Sequence, residues 1–124
     1  MRSYGSILCE MFALLVLLAT LHLTAKDNHK SYTVKPRTPI VVTLASNATS
    51  GYHWKYKSFT GNRVVKLISQ RYVPPKQGRP GAAGKEVWHF RAVAKGVTDM
   101  RFRYIPSVQP SKPAKRIGIS IRVR

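Results

Sequence analysis

A chain of 124 residues has room for one hydrophobic core and not two. With 22 Lys and Arg against 4 Asp and Glu, its formal net charge of +18 draws it toward anionic partners and leaves few carboxylates for acid–base chemistry. The single cysteine, Cys9, excludes an intrachain disulfide and a cysteine-ligated metal cluster.

The N-terminal residues 1–25 read as a secretory signal. Met11 to Leu23 is an apolar run of 13 residues, preceded by a segment carrying Arg2 and followed by Thr24-Ala25 and the polar Lys26-Asp27-Asn28. A spanning helix needs about 20 apolar residues, whereas this run has the length of a signal's central region. Cleavage is expected after Ala25, leaving residues 26–124 as one secreted or periplasmic domain with no cysteine. Leu23 stands where a small residue is usual and Glu10 weakens the positive leader; the alternative is an uncleaved short anchor. Removing Arg2 and Glu10 takes one charge of each sign, so the net charge stays at +18.

From residue 31 the chain reads as short strands. Ser31 to Val34 is an edge strand stopped by Pro36 and Pro39, and Ile40, Val42 and Leu44 then fall on one face of the next. A polar turn, Asn47 to Gly51, leads into the alternation Tyr52, Trp54, Tyr56. Arg63 to Val73 is aliphatic and β-branched, Pro74-Pro75 end it, and residues 76–84, rich in Gly and Pro, form a loop. Glu86 to Ala94, Val97 to Tyr104 and Arg116 to Arg124 complete the set; in the last, Ile117, Ile119, Ile121 and Val123 alternate with polar or small residues. Seven such strands without a helical window predict an all-β, immunoglobulin-like antiparallel sandwich. In that topology the third, sixth and seventh strands share a sheet, and His53, Lys55, Lys57, Arg101, Arg103, Arg116, Arg122 and Arg124 give it a cationic outer face.

The residues argue against catalysis. Beyond residue 25 the carboxylates are Asp27, Glu86 and Asp99 and the histidines His29, His53 and His89, which offer neither paired carboxylates nor an oriented triad. No catalytic residue, metal site or cofactor is assigned. His53 and His89 lack the carboxylate or thiolate neighbours of a zinc site and read as surface residues, while Trp54 and Trp88 read as core aromatics supporting the loops beside them.

Two loop motifs carry a resemblance. Asn47-Ala48-Thr49-Ser50-Gly51-Tyr52-His53-Trp54 is similar to the Asn-Pro-Thr-Thr-Gly-Tyr/Phe-x-Trp loop of the chagasin family, inhibitors of papain-like cysteine proteases. Arg79-Pro80-Gly81-Ala82-Ala83-Gly84, followed by Trp88-His89-Phe90, resembles that family's second loop, Gly-x-Gly-Gly ahead of an aromatic strand. Order and spacing fit over about residues 31–124. The resemblance implies an immunoglobulin-like sandwich whose three loops at one end wedge into a protease cleft. By position, Ala48, Thr49, Ser50 and Gly51 would face the protease nucleophile, Asn47 and Tyr52 would brace the loop, and residues 79–84 would flank it. The third loop, usually Arg-Pro-Trp, is represented by Ile105-Pro106-Ser107, where only the proline matches; the absent Trp removes a frequent hot-spot residue type. Ala48 in place of proline also creates the sequon Asn47-Ala48-Thr49, and a glycan there would obstruct the wedge. The expected partner is thus a papain-like cysteine protease bound by a monomer. A secondary anionic surface would contact Arg101, Arg103 and Arg122, and nucleic acid is not expected. The competing reading is a cationic immunoglobulin-like module that coats an anionic polymer or envelope.

Overall fold

The computed structural model describes residues 19–76, 82–108 and 112–124. Its strands are β1 (Leu21–Leu23), β2 (Ser31–Val34), β3 (Pro39–Ser46), β4 (Tyr52–Lys57), β5 (Val65–Val73), β6 (Gly84–Ala92), β7 (Gly96–Pro106) and β8 (Lys115–Val123). They form two four-stranded sheets, ordered β1-β3-β6-β5 and β2-β8-β7-β4. The expected third, sixth and seventh strands, here β4, β7 and β8, do share a sheet, and β2 lies at its edge. The sheets are mixed, which corrects the all-antiparallel expectation: β1 runs parallel to β3, and β2 parallel to β8.

Period-two patterning accounts for the sandwich. Ile40, Val42 and Leu44 of β3 and Ile117, Ile119, Ile121 and Val123 of β8 point inward, each 6% exposed or less, and join Phe90, Met100 and Phe102 in one core. Tyr56 packs among Trp88, Phe90 and Phe102, with ring centroids 4.8 to 6.2 Å away, filling the space between the sheets with aromatic contacts. In β5 a bulge between Leu67 and Ser69 shifts the register against β6. It leaves Ile68 outside at 52% exposure, and Gln70, itself exposed, reaches the Glu86 carboxylate.

β1 lies inside the stretch assigned to the signal. Leu23 is a core residue, 1% exposed. The following turn, Ala25–Asp27, is closed by a reciprocal cap in which the Thr24 hydroxyl accepts from Lys26 N–H and the Asp27 carboxylate accepts from Thr24 N–H at 2.8 Å. Tyr32 O–H donates to the same carboxylate, which with the Thr24 bond lowers the Asp27 pKa. A cut after Ala25 would remove β1, its core leucine and half of this cap.

β3 and β5 run antiparallel to β6, and β7 to β4 and β8, so the loops divide between two poles. One carries the turns β3–β4, β5–β6 and β7–β8; the other carries β2–β3, β4–β5 and β6–β7.

Candidate functional site

The loop between β3 and β4 is a single 3-10 turn, Ala48–Ser50, whose local bonds hold it in shape. Asn47 caps it: its side-chain oxygen accepts from Thr49 N–H at 3.1 Å and from the Thr49 hydroxyl at 2.7 Å. Ser50 returns two bonds to the Asn47 carbonyl, from its N–H at 3.0 Å and its hydroxyl at 2.6 Å. Gly51 ends the turn at φ +76°, the left-handed region where a side chain is strained, although a Cβ there would meet nothing within 4 Å. Ala48, Thr49, Ser50 and Gly51 are all exposed, so the tip presents small side chains on a stiffened backbone.

The root of this loop joins the two sheets. Glu86 of β6, only 4% exposed, accepts from the Ser46 hydroxyl at 2.8 Å and from Trp54 N–H at 3.1 Å through one oxygen, and from the Gln70 amide at 3.0 Å through the other. Ser46 ends β3 and Trp54 belongs to β4, so one carboxylate clamps both limbs of the loop. Trp54, 4% exposed, adds a second tie by donating its indole N–H to the Ala45 carbonyl at 2.9 Å. Tyr104 of β7 stands behind the turn. Its hydroxyl accepts from Asn47 N–H at 3.1 Å, and its ring stacks on Tyr52 at 5.4 Å and lies against Trp54 at 4.9 Å. Burial alone would raise the Tyr104 phenol pKa, but hydrogen bonds with Ser50, Asn47 N–H and Ser46 outweigh it and lower it below the usual value.

The third loop is fastened to the first. β4 and β7 pair Tyr52 with Pro106 and His53 with Ile105. Ser107 N–H donates to the Gly51 carbonyl at 2.7 Å, and its hydroxyl lies 2.9 Å from His53 Nδ1. On the opposite flank, β6 begins beside the end of β3, with Gly84 opposite Ser46, and Ala83 lines the same hollow as Asn47, Ser50, Tyr52 and Tyr104. Ala82, Ala83 and residues 106–108 therefore stand on either side of the central turn.

Several residues expected at the surface have other roles. Ile105 is buried at 6% exposure, so the third loop offers Pro106, Ser107 and, at 89% exposure, Val108 in its place. Gly84 is buried, and a Cβ on it would sit 2.3 Å from the Val73 carbonyl; it is required for close strand approach, not for contact. Asn47 and Tyr52 are half-buried, and Trp54 and Trp88 are core residues at 4% and 6% exposure. Arg79, Pro80 and Gly81 lie outside the described residues. Glu86, Gln70 and Tyr104 were not anticipated as loop supports. Among the described residues, no three of His, Cys, Asp and Glu come together as a metal site would require.

Residues 33–123 match the family model described as Chagasin family peptidase inhibitor I42. Chagasin of Trypanosoma cruzi is 26% identical over 103 residues, covering 80% of this chain and 94% of that protein. Among solved structures, the cysteine protease inhibitor EhICP2 of Entamoeba histolytica superposes with a TM-score of 0.75 at 20% identity, covering 88% of this chain and 99% of the other. Amebosin superposes at 0.70 and 19% identity over 86% and 99% of the two chains. PbICP-C, solved in complex with falcipain-2, superposes at 0.61 and 14% identity over 89% and 96%. The model match spans most of the chain, the sandwich is shared, and three loops converge at one pole: the chain belongs to the chagasin family of peptidase inhibitors.

Proposed function

We propose that the protein inhibits papain-like cysteine proteases reversibly by seating the turn 48–51 over the catalytic cysteine, with Ala82, Ala83, Pro106, Ser107 and Val108 contacting the cleft on both sides. The observation that carries this reading is the exposed 3-10 turn clamped at its root by Glu86 and Trp54. Proteases commonly bind the scissile segment as an extended strand. A short helical turn closed by Asn47 and Ser50 does not offer that geometry, so it occupies the site without being consumed. Preorganisation also limits the ordering entropy lost on binding. The names of the related inhibitors, one of them solved with falcipain-2, support the same target class.

Papain assayed with the purified protein should be inhibited stoichiometrically and recover on dilution, with the inhibitor's mass unchanged. Undiminished papain activity at micromolar protein overturns the reading. Tyr104→Phe should weaken inhibition about tenfold while costing about 1 kcal/mol of stability, because Asn47 N–H loses its acceptor while the ring packing remains. Equal inhibition by this variant, measured by titration against papain, would show that the phenol does not hold the loop.

The same reading places the protein outside the cytoplasm as a secreted or periplasmic monomer. A leader cut upstream of Leu21 would keep Leu23 in the core, which a cut after Ala25 would not. A second contact, with an anionic surface, is supported by exposed Arg101, Arg103 and Arg122 on the outer face of the second sheet.

A further inference from the structure

Across the second sheet, Lys55 faces Arg103, Arg103 faces Arg116, and in the next row Lys57 faces Arg101. Directly opposed like charges on neighbouring strands repel, so this arrangement is unfavourable without a counter-charge. The carboxylates of the described residues are committed elsewhere. Asp27 accepts from Tyr32 and Thr24, Asp99 pairs with Arg101, and Glu86 is buried under the central turn. The row Lys55–Arg103–Arg116 thus has no carboxylate of its own among these residues.

The pole away from the three loops exposes apolar side chains. Phe59 in the β4–β5 loop is 67% exposed, Val93 in the β6–β7 turn 41%, and Val97 at the start of β7 44%. These loops form one unit, since Val93 N–H donates to the Val64 carbonyl at 2.8 Å and the hydroxyls of Ser58 and Thr60 each lie 2.6 Å from that of Thr98. Val97 lies opposite Arg122, which joins the apolar pole to the cationic face, and Lys57, Arg63 and Lys95 are exposed around it. β1 also starts here, Leu21 pairing with Ile40 near the beginning of β3.

We infer that this pole and the adjoining face of β4, β7 and β8 dock on an anionic phospholipid bilayer, with the inhibitory loops directed away from it. The inference extends the anionic-surface reading above by fixing the partner. A soluble polyanion would neutralise the arginine rows but gains nothing from Phe59, Val93 and Val97. A bilayer interface takes both, lysine and arginine at the headgroups and apolar side chains at the acyl boundary.

The test is co-sedimentation of the full chain with phosphatidylserine–phosphatidylcholine vesicles, with pure phosphatidylcholine vesicles and with dextran sulfate beads, at roughly physiological salt. Binding to the anionic vesicles should fall roughly a hundredfold in the triple variant Lys55→Gln, Arg103→Gln, Arg116→Gln, and about tenfold in Phe59→Ser. Unfolding midpoints confirm that both variants fold. Dextran sulfate binding should fall in the triple variant and stay unchanged in Phe59→Ser. Vesicle binding indifferent to Phe59→Ser overturns the bilayer and leaves a polyanion as the partner. Indifference to the triple variant overturns the anionic-surface reading itself. Equal binding to neutral vesicles by all three proteins would assign the attachment to the apolar N-terminal run and overturn the docking face.

Discussion

Thr49→Arg should raise the inhibition constant for papain about a hundredfold or more and change the unfolding free energy by about 0.5 kcal/mol. Thr49 is exposed at the crest of the central turn, where, on the proposed reading, a guanidinium would have to enter the space over the catalytic cysteine. Its backbone N–H would still donate to Asn47; only the hydroxyl bond to the same oxygen is lost. The two readouts should therefore separate, and a variant that inhibits like the parent would place the contact elsewhere. Gly51→Trp does not make as clean a test. At φ +76° any side chain costs about 1–2 kcal/mol, so lost inhibition would mix bulk with backbone strain.

Glu86→Ala should destabilise the fold by about 3 kcal/mol, because Trp54 N–H, the Ser46 hydroxyl and the Gln70 amide lose a shared buried acceptor. For a domain of this size that is roughly 15 °C in the unfolding midpoint. Inhibition should weaken as well, since both limbs of the central loop hang from this carboxylate. Glu86→Gln separates shape from charge. Its amide oxygen can still accept from Ser46 and Trp54, and rotation of the Gln70 amide presents an acceptor to the new NH2. That variant should keep most of the stability and inhibition of the parent. Thermal unfolding and papain titration of the pair check this; a Glu86→Gln variant as damaged as Glu86→Ala would mean that the negative charge, and not the hydrogen-bond pattern, holds the loop.

What could be read from the sequence follows from how local each signal is. The aliphatic alternation of Ile117 to Val123 needs nothing beyond its own period and appears unchanged as β8. The central turn was legible because capping by Asn47 and reversal at Gly51 are settled within five residues. β1 was hidden by its neighbours: a leucine-rich run reads as a signal's central region whether or not its last three residues pair with Ile40 to Val42. Ile105 sits beside a proline and looks like loop; its place in β7 rests on pairing with His53, which no local pattern shows. Glu86 was the least visible. A single glutamate opening a strand looks solvated until three donors far apart in the chain meet around it, one of them set in register by a bulge that no local pattern announces.

The parallel pairing of β2 with β8 also sets an order of events. Among the described residues β2 has no partner in its sheet except β8, so Ser31 to Val34 must wait for Ser120 to Val123, far along the chain. Such distant pairings are slow to close and come late. The second sheet is therefore incomplete until β8 has been made. Until then β2 has no edge to lie against, and it is the arrival of β8 that locks it between the chain's early and late halves.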